Sequence, residues 1–326
     1  MISILTPFRN AEPYFAECLQ SIIDQTYDNW ELILVDDTST DNSYATALAF
    51  REKDTRIKLF TNDVPGLIHA LRLAYNYTSG QFITRMDADD IMPSNKLMDL
   101  NNTLTSKGRG HVAVGFVKYF SEQKLGEGYT FYENWLNQLT EKENNYSEIY
   151  RECVIPSPNF LIHKSDLENI NAFHPDIYPE DYDLAFRMYK NDFKVISTNS
   201  LTHYWRDHQN RSTRTQEHYQ ILNFIPLKVK HFVEIDYAPS KTLVLWGAAK
   251  KGKLIARQLI QRNIPFKWVT ENPQRIGHNV YDVIIEDGKD YCSKGDLQVI
   301  VAVSNRTEQE EIVGKIGEDA QVFCFF

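Results

Sequence analysis

The chain has 326 residues, 42% hydrophobic and 24% charged, enough for two ordinary domains with full cores and no disulfide staples. Its net charge of −9 argues against nucleic acid as a partner, because binding a phosphate backbone needs a basic surface. Cys18, Cys153, Cys292 and Cys324 stand far apart with no CxxC pair, no apolar run approaches the ~20 residues of a transmembrane segment, and MISILTPF is too short and uncharged for a signal peptide; the expected setting is reducing and cytoplasmic.

Ile2 to Leu5 reads as a buried strand running into Thr6-Pro7-Phe8-Arg9-Asn10, a turn that opens a helix with Phe15, Cys18, Leu19, Ile22 and Ile23 at helical spacing. Trp30 to Val35 is a second strand, closed by Asp36-Asp37-Thr38-Ser39-Thr40-Asp41, and Asp41 suits the cap of a helix from Asn42 to Arg51. Ile57 to Thr61 makes a third strand, Pro65-Gly66 opens a helix through Tyr75, and Gln81 to Met86 makes a fourth strand. Alternating strands and helices imply an α/β fold with a doubly wound, mostly parallel sheet.

The fourth strand delivers Asp87, Asp89 and Asp90 together at its carboxyl end, in QFITRMDADDIMP. Open α/β sheets bind ligands there. Three acids in four residues repel one another, and a hard cation carrying a polyphosphate neutralises them economically. A solvated turn with Asp90 as a helix cap is the plainer alternative.

Taken in order, TPFRN, ELILVDDTSTD, GLIHALRLAY and QFITRMDADDIMP resemble the inverting nucleotide-sugar glycosyltransferases of the GT-A fold, glycosyltransferase family 2, over about residues 1 to 215. The resemblance implies a nucleoside diphosphate-sugar donor, with Thr6 and Pro7 lining the base and ribose pocket and Asp37 accepting a hydrogen bond from the base. It places Arg85 and Asp87 near the ribose and phosphates, and makes Asp89 the metal-binding acid, with Asp87 beside it. Mg²⁺ or Mn²⁺ would stabilise the charge that builds on the leaving diphosphate. Arg72 departs from the pattern, where relatives usually carry Asn.

Farther on, a helix carries Leu97, Leu100 and Leu104 on one face, and Val112 to Phe120 is a strand of the same sheet. Tyr129, Phe131, Tyr132 and Trp135 could stack on sugars, although such a stripe is more often core. The loop Ile155-Pro156-Ser157-Pro158-Asn159 falls beside the acceptor by resemblance. In YPEDYDLAFRMYK a helix begins with Glu180, Asp181 and Asp183 in its first turn, a pattern that also complements the helix dipole. EDYDLAFR resembles the family's ED-containing helix, whose second acid is the catalytic base, and this position is Asp181. A strand from Lys194 to Thr198 precedes HYWRDHQNRSTR; by resemblance His208 touches the metal or the phosphates, and Arg206 or Arg211 neutralises the leaving group, while His203 packs.

Residues 216 to 233 read as a connecting helix belonging to a first domain of residues 1–235, with the boundary at Glu234 to Ser240, and residues 241–326 as a smaller Rossmann-like α/β domain. Gly247, Ala249 and Gly252 occupy the positions of GxGxxG, and Glu271 stands near the place of a ribose-binding acid. Alanine at the second position weakens the dinucleotide reading, so a structural or assembly role is expected.

The reading as a whole is a metal-dependent inverting transferase moving a sugar, from a UDP-sugar by preference, to a saccharide or lipid-linked acceptor hydroxyl in cell-surface polysaccharide or glycolipid synthesis. Its expected place is the cytoplasm, peripheral at the inner face of the membrane, and a homo-oligomer is compatible with it. A nucleotidyltransferase would want a Gly- and Lys-rich loop after the first strand, which TPFRNAEP is not. A catalytically silent nucleotide-sugar-binding protein would have no need of Asp181.

Overall fold

In the computed structural model, which describes every residue except 123, 210, 212–220, 293, 294 and 318, the first seven strands form one sheet. They are β1 (Ile2–Phe8), β2 (Trp30–Asp36), β3 (Ile57–Thr61), β4 (Phe82–Arg85), β5 (His111–Phe120), β6 (Phe160–His163) and β7 (Lys194–Arg206), in the spatial order β3-β2-β1-β4-β6-β5-β7. Every pairing is parallel except those of β6, which runs antiparallel to both β4 and β5. The continuous apolar runs of β1 and β2 suit strands covered on both faces. Phe15, Cys18, Leu19 and Ile22 of α1 (Glu12–Ile23) pack with Ile4, Leu32 and Leu34, each fully buried. Burying such a Leu or Ile contributes about 1.5–3 kcal/mol. The remaining helices of this region are α2 (Ser43–Lys53), α3 (Leu67–Asn76), α4 (Lys96–Lys107), α5 (Glu127–Glu141), α6 (Lys164–Asn169) and α7 (Glu180–Lys190).

Two strands outrun their expected ends. Thr6-Pro7-Phe8 is strand, not turn, and pairs with Leu34, Val35 and Asp36. Proline is tolerated because β1 pairs β4 only as far as Leu5, so no ladder bond is asked of Pro7 on that side. The other strand, β7, continues past Thr198 to Arg206. Asn199 takes a left-handed φ of 52°, the register beside β5 shifts between Val114 and Val117, and the strand resumes at Leu201. Gly115 permits this, since a Cβ there would lie 2.1 Å from Thr202 Oγ1. The bulge hides in a polar Ser-Thr-Asn-Ser run that reads as a strand end.

The chain divides into two compact units, Met1–Ser147 with Val154–Arg214, and Glu148–Cys153 with Thr215–Phe326. This moves the expected boundary. Helix α8 (Ile221–Ile235), of which the expected part before Ile221 lies outside the described residues, belongs to the second unit and not to the first. The buried Lys228 of α8 donates from Nζ to Arg151 O (2.7 Å) and Phe325 O (3.0 Å). Tyr150 stacks on Phe325 at 5.2 Å and meets Phe232 edge-on. A detached hexapeptide thus completes the second core, which sequence order cannot reveal.

The second unit holds β8 (Thr242–Trp246), α9 (Lys250–Gln261), β9 (Lys267–Thr270), β10 (Asn279–Val280), β11 (Val283–Asp287), β12 (Leu297–Val301), α10 (Arg306–Lys315) and β13 (Gln321–Cys324). Its sheet has the order β10-β11-β9-β8-β12-β13, parallel except for the hairpin of β10 with β11. That hairpin turns on Tyr281 and Asp282, both at positive φ.

Candidate active site

The DADD turn leaves β4 with its three carboxylates in different environments. Asp87 and Asp89 are half-buried, whereas Asp90 is 1% exposed. Asp90 faces inward, where its Oδ1 accepts the Arg206 amide (2.8 Å) and its Oδ2 lies 2.9 Å from His203 Nε2. Lys96 Nζ donates to the carbonyl of Pro158 and lies 3.4 Å from His203 Nδ1. With Lys96 as donor to Nδ1, the Nε2 hydrogen of His203 points at Asp90. Burial, reinforced by the charges of Asp89 and Asp87, pushes Asp90 well above the usual carboxylate range. Burial also holds His203 well below the ordinary imidazole value and brings Lys96 down to about 7. His203 packs, as expected, but as part of this buried polar chain, and Asp90 anchors the turn without capping a helix.

Asp89 stays partly exposed. Its Oδ2 lies 2.8 Å from His208 Nε2, and the His208 ring sits 4.8 Å from that of Tyr14. Arg206, expected as a candidate for the leaving group, instead donates to the Asp89 carbonyl (2.8 Å) and to Glu17, sandwiched between Tyr14 and Phe120 at 4.5 and 4.4 Å. It clamps the turn. Arg211 lies against Tyr119 and Trp205, and its charge acts on Asp90 and Asp89.

The buried Arg85 joins the two acidic stretches. Its guanidinium reaches Asp87 Oδ1 (3.6 Å) from the turn and Glu180 Oε1 (3.2 Å) from the first residue of α7. Asp181 follows directly, half-buried, with Oδ1 accepting the Tyr182 amide (2.7 Å), and it lines a narrow recess with Arg85, Ile155, Ser157 and Phe160. Burial, with the neighbouring Glu180 carboxylate, raises Asp181 to about 7 against the pull of Arg85. Glu180 is therefore a site residue that dipole complementation did not reveal; an ion pair 95 residues apart in sequence leaves no local signal. Asp183 fits the plainer reading, since it pairs with Arg187 one turn on (2.7 Å).

Around the expected nucleoside pocket the structure is more reserved. Thr6 is fully buried, its hydroxyl without a hydrogen-bond partner, so of the expected pair only Pro7, half-buried, approaches the surface. Asp37 already accepts Asn62 Nδ2 (2.7 Å) and the Gly66 amide (2.9 Å), and thereby fixes the turn into α3; a nucleobase would have to share this carboxylate. Arg72 spends its guanidinium on the Phe173 and His174 carbonyls and on Asp176, tying α3 to the loop ahead of α7. Of the expected sugar platform, Trp135 is buried and Tyr132 packs on Trp135 and Trp205, while Phe131 is 54% exposed.

Among the described residues no three metal-ligating side chains form a closed cage. Asp89, beside the half-buried Asp87, supplies the hard oxygen donor that Mn²⁺ or Mg²⁺ takes and leaves most coordination positions to a diphosphate; His208, 2.8 Å from Asp89, adds an imidazole that Mg²⁺ has little use for. The residues present fit the ion.

A family model described as "Glycosyl transferase family 2" matches residues 3–170. Among curated proteins, the chain is 29% identical over 194 residues to the Escherichia coli UDP-Glc:alpha-D-GlcNAc-diphosphoundecaprenol beta-1,3-glucosyltransferase WfgD, covering 59% of this chain and 71% of that one. It is 27% identical over 223 residues to glycosyltransferase GlyG of Streptococcus pneumoniae, covering 66% and 74%. Among solved structures, S. aureus TarS 1-349 in complex with UDP-GlcNAc aligns with a TM-score of 0.59 at 17% identity, over 79% of this chain and 71% of that one. The mannosyltransferase PcManGT from Pyrobaculum calidifontis, in complex with GDP-Man and Mn²⁺, aligns with a TM-score of 0.53 at 18% identity, over 79% and 69%. Both likenesses are of the mixed α/β fold with a mostly parallel sheet.

Proposed function

The chain belongs to glycosyl transferase family 2, and from that premise we propose that it is an inverting, metal-dependent transferase in which Asp181 is the general base and the DADD turn holds the donor's diphosphate. One observation carries the reading: Arg85 bridges Asp87 and Glu180, so the acidic turn and the start of α7 meet at a single buried guanidinium. The acid beside that bridge is raised to about 7, where a base is both ionised in part and able to take a proton.

Asp89 would hold Mg²⁺ or Mn²⁺, with Asp87 and His208 at hand, and the ion when bound supplies charge neutralisation for the departing diphosphate. The chain's own residues do the rest. Asp181 takes the proton of an acceptor hydroxyl in its recess, and the hydroxyl oxygen attacks the anomeric carbon from the side opposite the diphosphate, inverting that centre. Arg206 keeps the turn in place from behind. Pro7 and Asp37 line the nucleoside end, Asp37 sharing its carboxylate between the protein and the base.

UDP is the proposed nucleotide, supported by the UDP-glucose in the name of WfgD and the UDP-GlcNAc bound to TarS. The WfgD name also supports a saccharide acceptor on a polyprenyl diphosphate, used in cell-surface polysaccharide or glycolipid synthesis. No helix among the described residues is long and apolar enough to cross a membrane, and peripheral attachment at the cytoplasmic face is the proposed arrangement. The test is release of free UDP from a donor panel with a saccharide acceptor, followed by assignment of the product's anomeric configuration. A retained configuration would refute the single displacement.

A further inference from the structure

The second unit has a cleft of about 790 Å³, far larger than the recess at Asp181, and nothing in sugar transfer uses it. It lies at the carboxyl ends of β8 and β12. The chain builds from β8 outward through β9 and β11, then crosses to β12 and β13 on the other side, so the cleft opens where the winding direction reverses. Parallel sheets bind ligands at such points because helix N-termini and strand ends converge there without a helix covering them.

Two glycines shape the floor. Gly247 follows β8 with φ at +121°, a conformation that side chains resist, and its amide is held by Val269 O (2.9 Å). Gly252, on the first turn of α9, lies so close to the Gly247 carbonyl that a Cβ would stand 1.9 Å from that oxygen. The strand and helix are thus drawn together, and the first turn of α9 is brought to the cleft. Its N-cap is the exposed Ala249, whose side chain cannot accept a hydrogen bond, so no side chain closes this helix end. At α10, which borders the same cleft, Asn305 accepts the Glu308 amide (3.0 Å). Lys250 and Lys251 add positive charge beside the uncapped turn, and Arg275 holds the Ala248 carbonyl. On the far side Glu271 follows the end of β9, where a carboxylate can reach a ribose diol, and Lys315 orients it at 2.8 Å.

We propose that this cleft is a ribonucleotide site, independent of the transferase reading, in which a 5′-phosphate caps α9 between Ala249 and Lys251 and the ribose diol bonds to Glu271. The phosphate would accept amide hydrogens that no side chain closes off and gain from the helix dipole and from Lys250, whereas the Lys251 ammonium rests on the Phe326 ring at 3.8 Å. The start of α9 and Glu271 supply partners for one 5′-phosphate and one ribose, so the ligand assigned is a nucleoside mono- or diphosphate.

Hydrogen exchange read by mass spectrometry on the full chain localises the effect to the cleft and separates it from any nucleotide held in the first unit. AMP, ADP, UDP, NAD⁺ and inorganic phosphate are each added at a concentration of about 1 mM, in the range where weak nucleotide sites fill. At least one mononucleotide is expected to protect residues 247–256. Ala249→Asp is the decisive variant: aspartate is a favoured N-cap, so folding should be kept or improved, yet its carboxylate takes the amides and repels phosphate, and protection should vanish. Glu271→Gln should weaken nucleotide protection about tenfold without altering the response to phosphate. Absence of protection by every nucleotide, or protection that survives Ala249→Asp, would overturn the site. Equal protection by inorganic phosphate would overturn the ribose contact, and stronger protection by NAD⁺ than by ADP would overturn the mononucleotide assignment.

Discussion

The two units are built on the same plan, a mainly parallel sheet with open space at the carboxyl ends of its strands, yet the groups proposed to meet a phosphate are acidic in one and basic in the other, where the cleft also carries Glu271, Glu308 and Glu311. In the first, Asp87, Glu180 and Asp181 gather around one buried Arg85, with Asp89 and Asp90 on the same turn as Asp87. In the second, an uncapped helix start, Lys250, Lys251 and Arg275 surround a roomy cleft. A phosphorylated ligand can be met either way: carboxylates recruit a cation that carries the phosphate, while amides and lysines receive the phosphate directly. The difference lies in what must happen next. A transferase has to stabilise charge that appears on a leaving group, and an exchangeable ion does this and departs with it, whereas a site that only binds can rely on fixed dipoles.

The sharpest way to break that contrast is Asp181→Asn. If Asp181 is the base, transfer should fall by about 10²–10⁴-fold with donor affinity unchanged, as measured by UDP release and by titration of UDP. A merely structural carboxylate at the helix start would cost at most ~1 kcal/mol of stability and leave turnover within threefold of the parent. Next in size is Asp89→Asn, which should weaken UDP binding in Mn²⁺ roughly tenfold or more and bring it to the level seen in EDTA. Equal binding by the unaltered protein with and without EDTA would end the metal assignment, and with it the distinction drawn between the units.

The pH profile sharpens the comparison further. A general base at Asp181 would work only when ionised, and its value is raised to about 7, so on that reading kcat/KM should rise as pH increases through about 7 and be lost below it. Glu180 contributes to that elevation, so Glu180→Gln should move the rising limb to lower pH; an upward movement would contradict the electrostatic account. The smallest effect belongs to the second unit. Ala249→Asp should stabilise it by about 0.5–1 kcal/mol through the N-cap, read as a higher midpoint in thermal or denaturant unfolding, and a loss of stability would show that α9 does not begin in the open geometry described.

How far the sequence reached varies with the range of the interaction. Hydrophobic runs and periodicity were sufficient for Ile57 to Thr61 and for the helix that carries Leu97, Leu100 and Leu104, because a buried strand or amphipathic helix is written in residues two to four apart. The short strings DADD and EDYD pointed to Asp89 and Asp181 only through their resemblance to the family's motifs. What tertiary structure alone decided were contacts between distant segments: Arg85 with Glu180, the inward turn of Asp90 onto His203 and Lys96, Asp89 beside His208, and Glu148–Cys153 with α8 in the second unit. Each pairs groups separated by dozens of residues, and composition fixes only which groups are available. Whether an aspartate becomes an anchor, a ligand or a base follows from its burial and its neighbours' charges, and those exist only after the chain has folded.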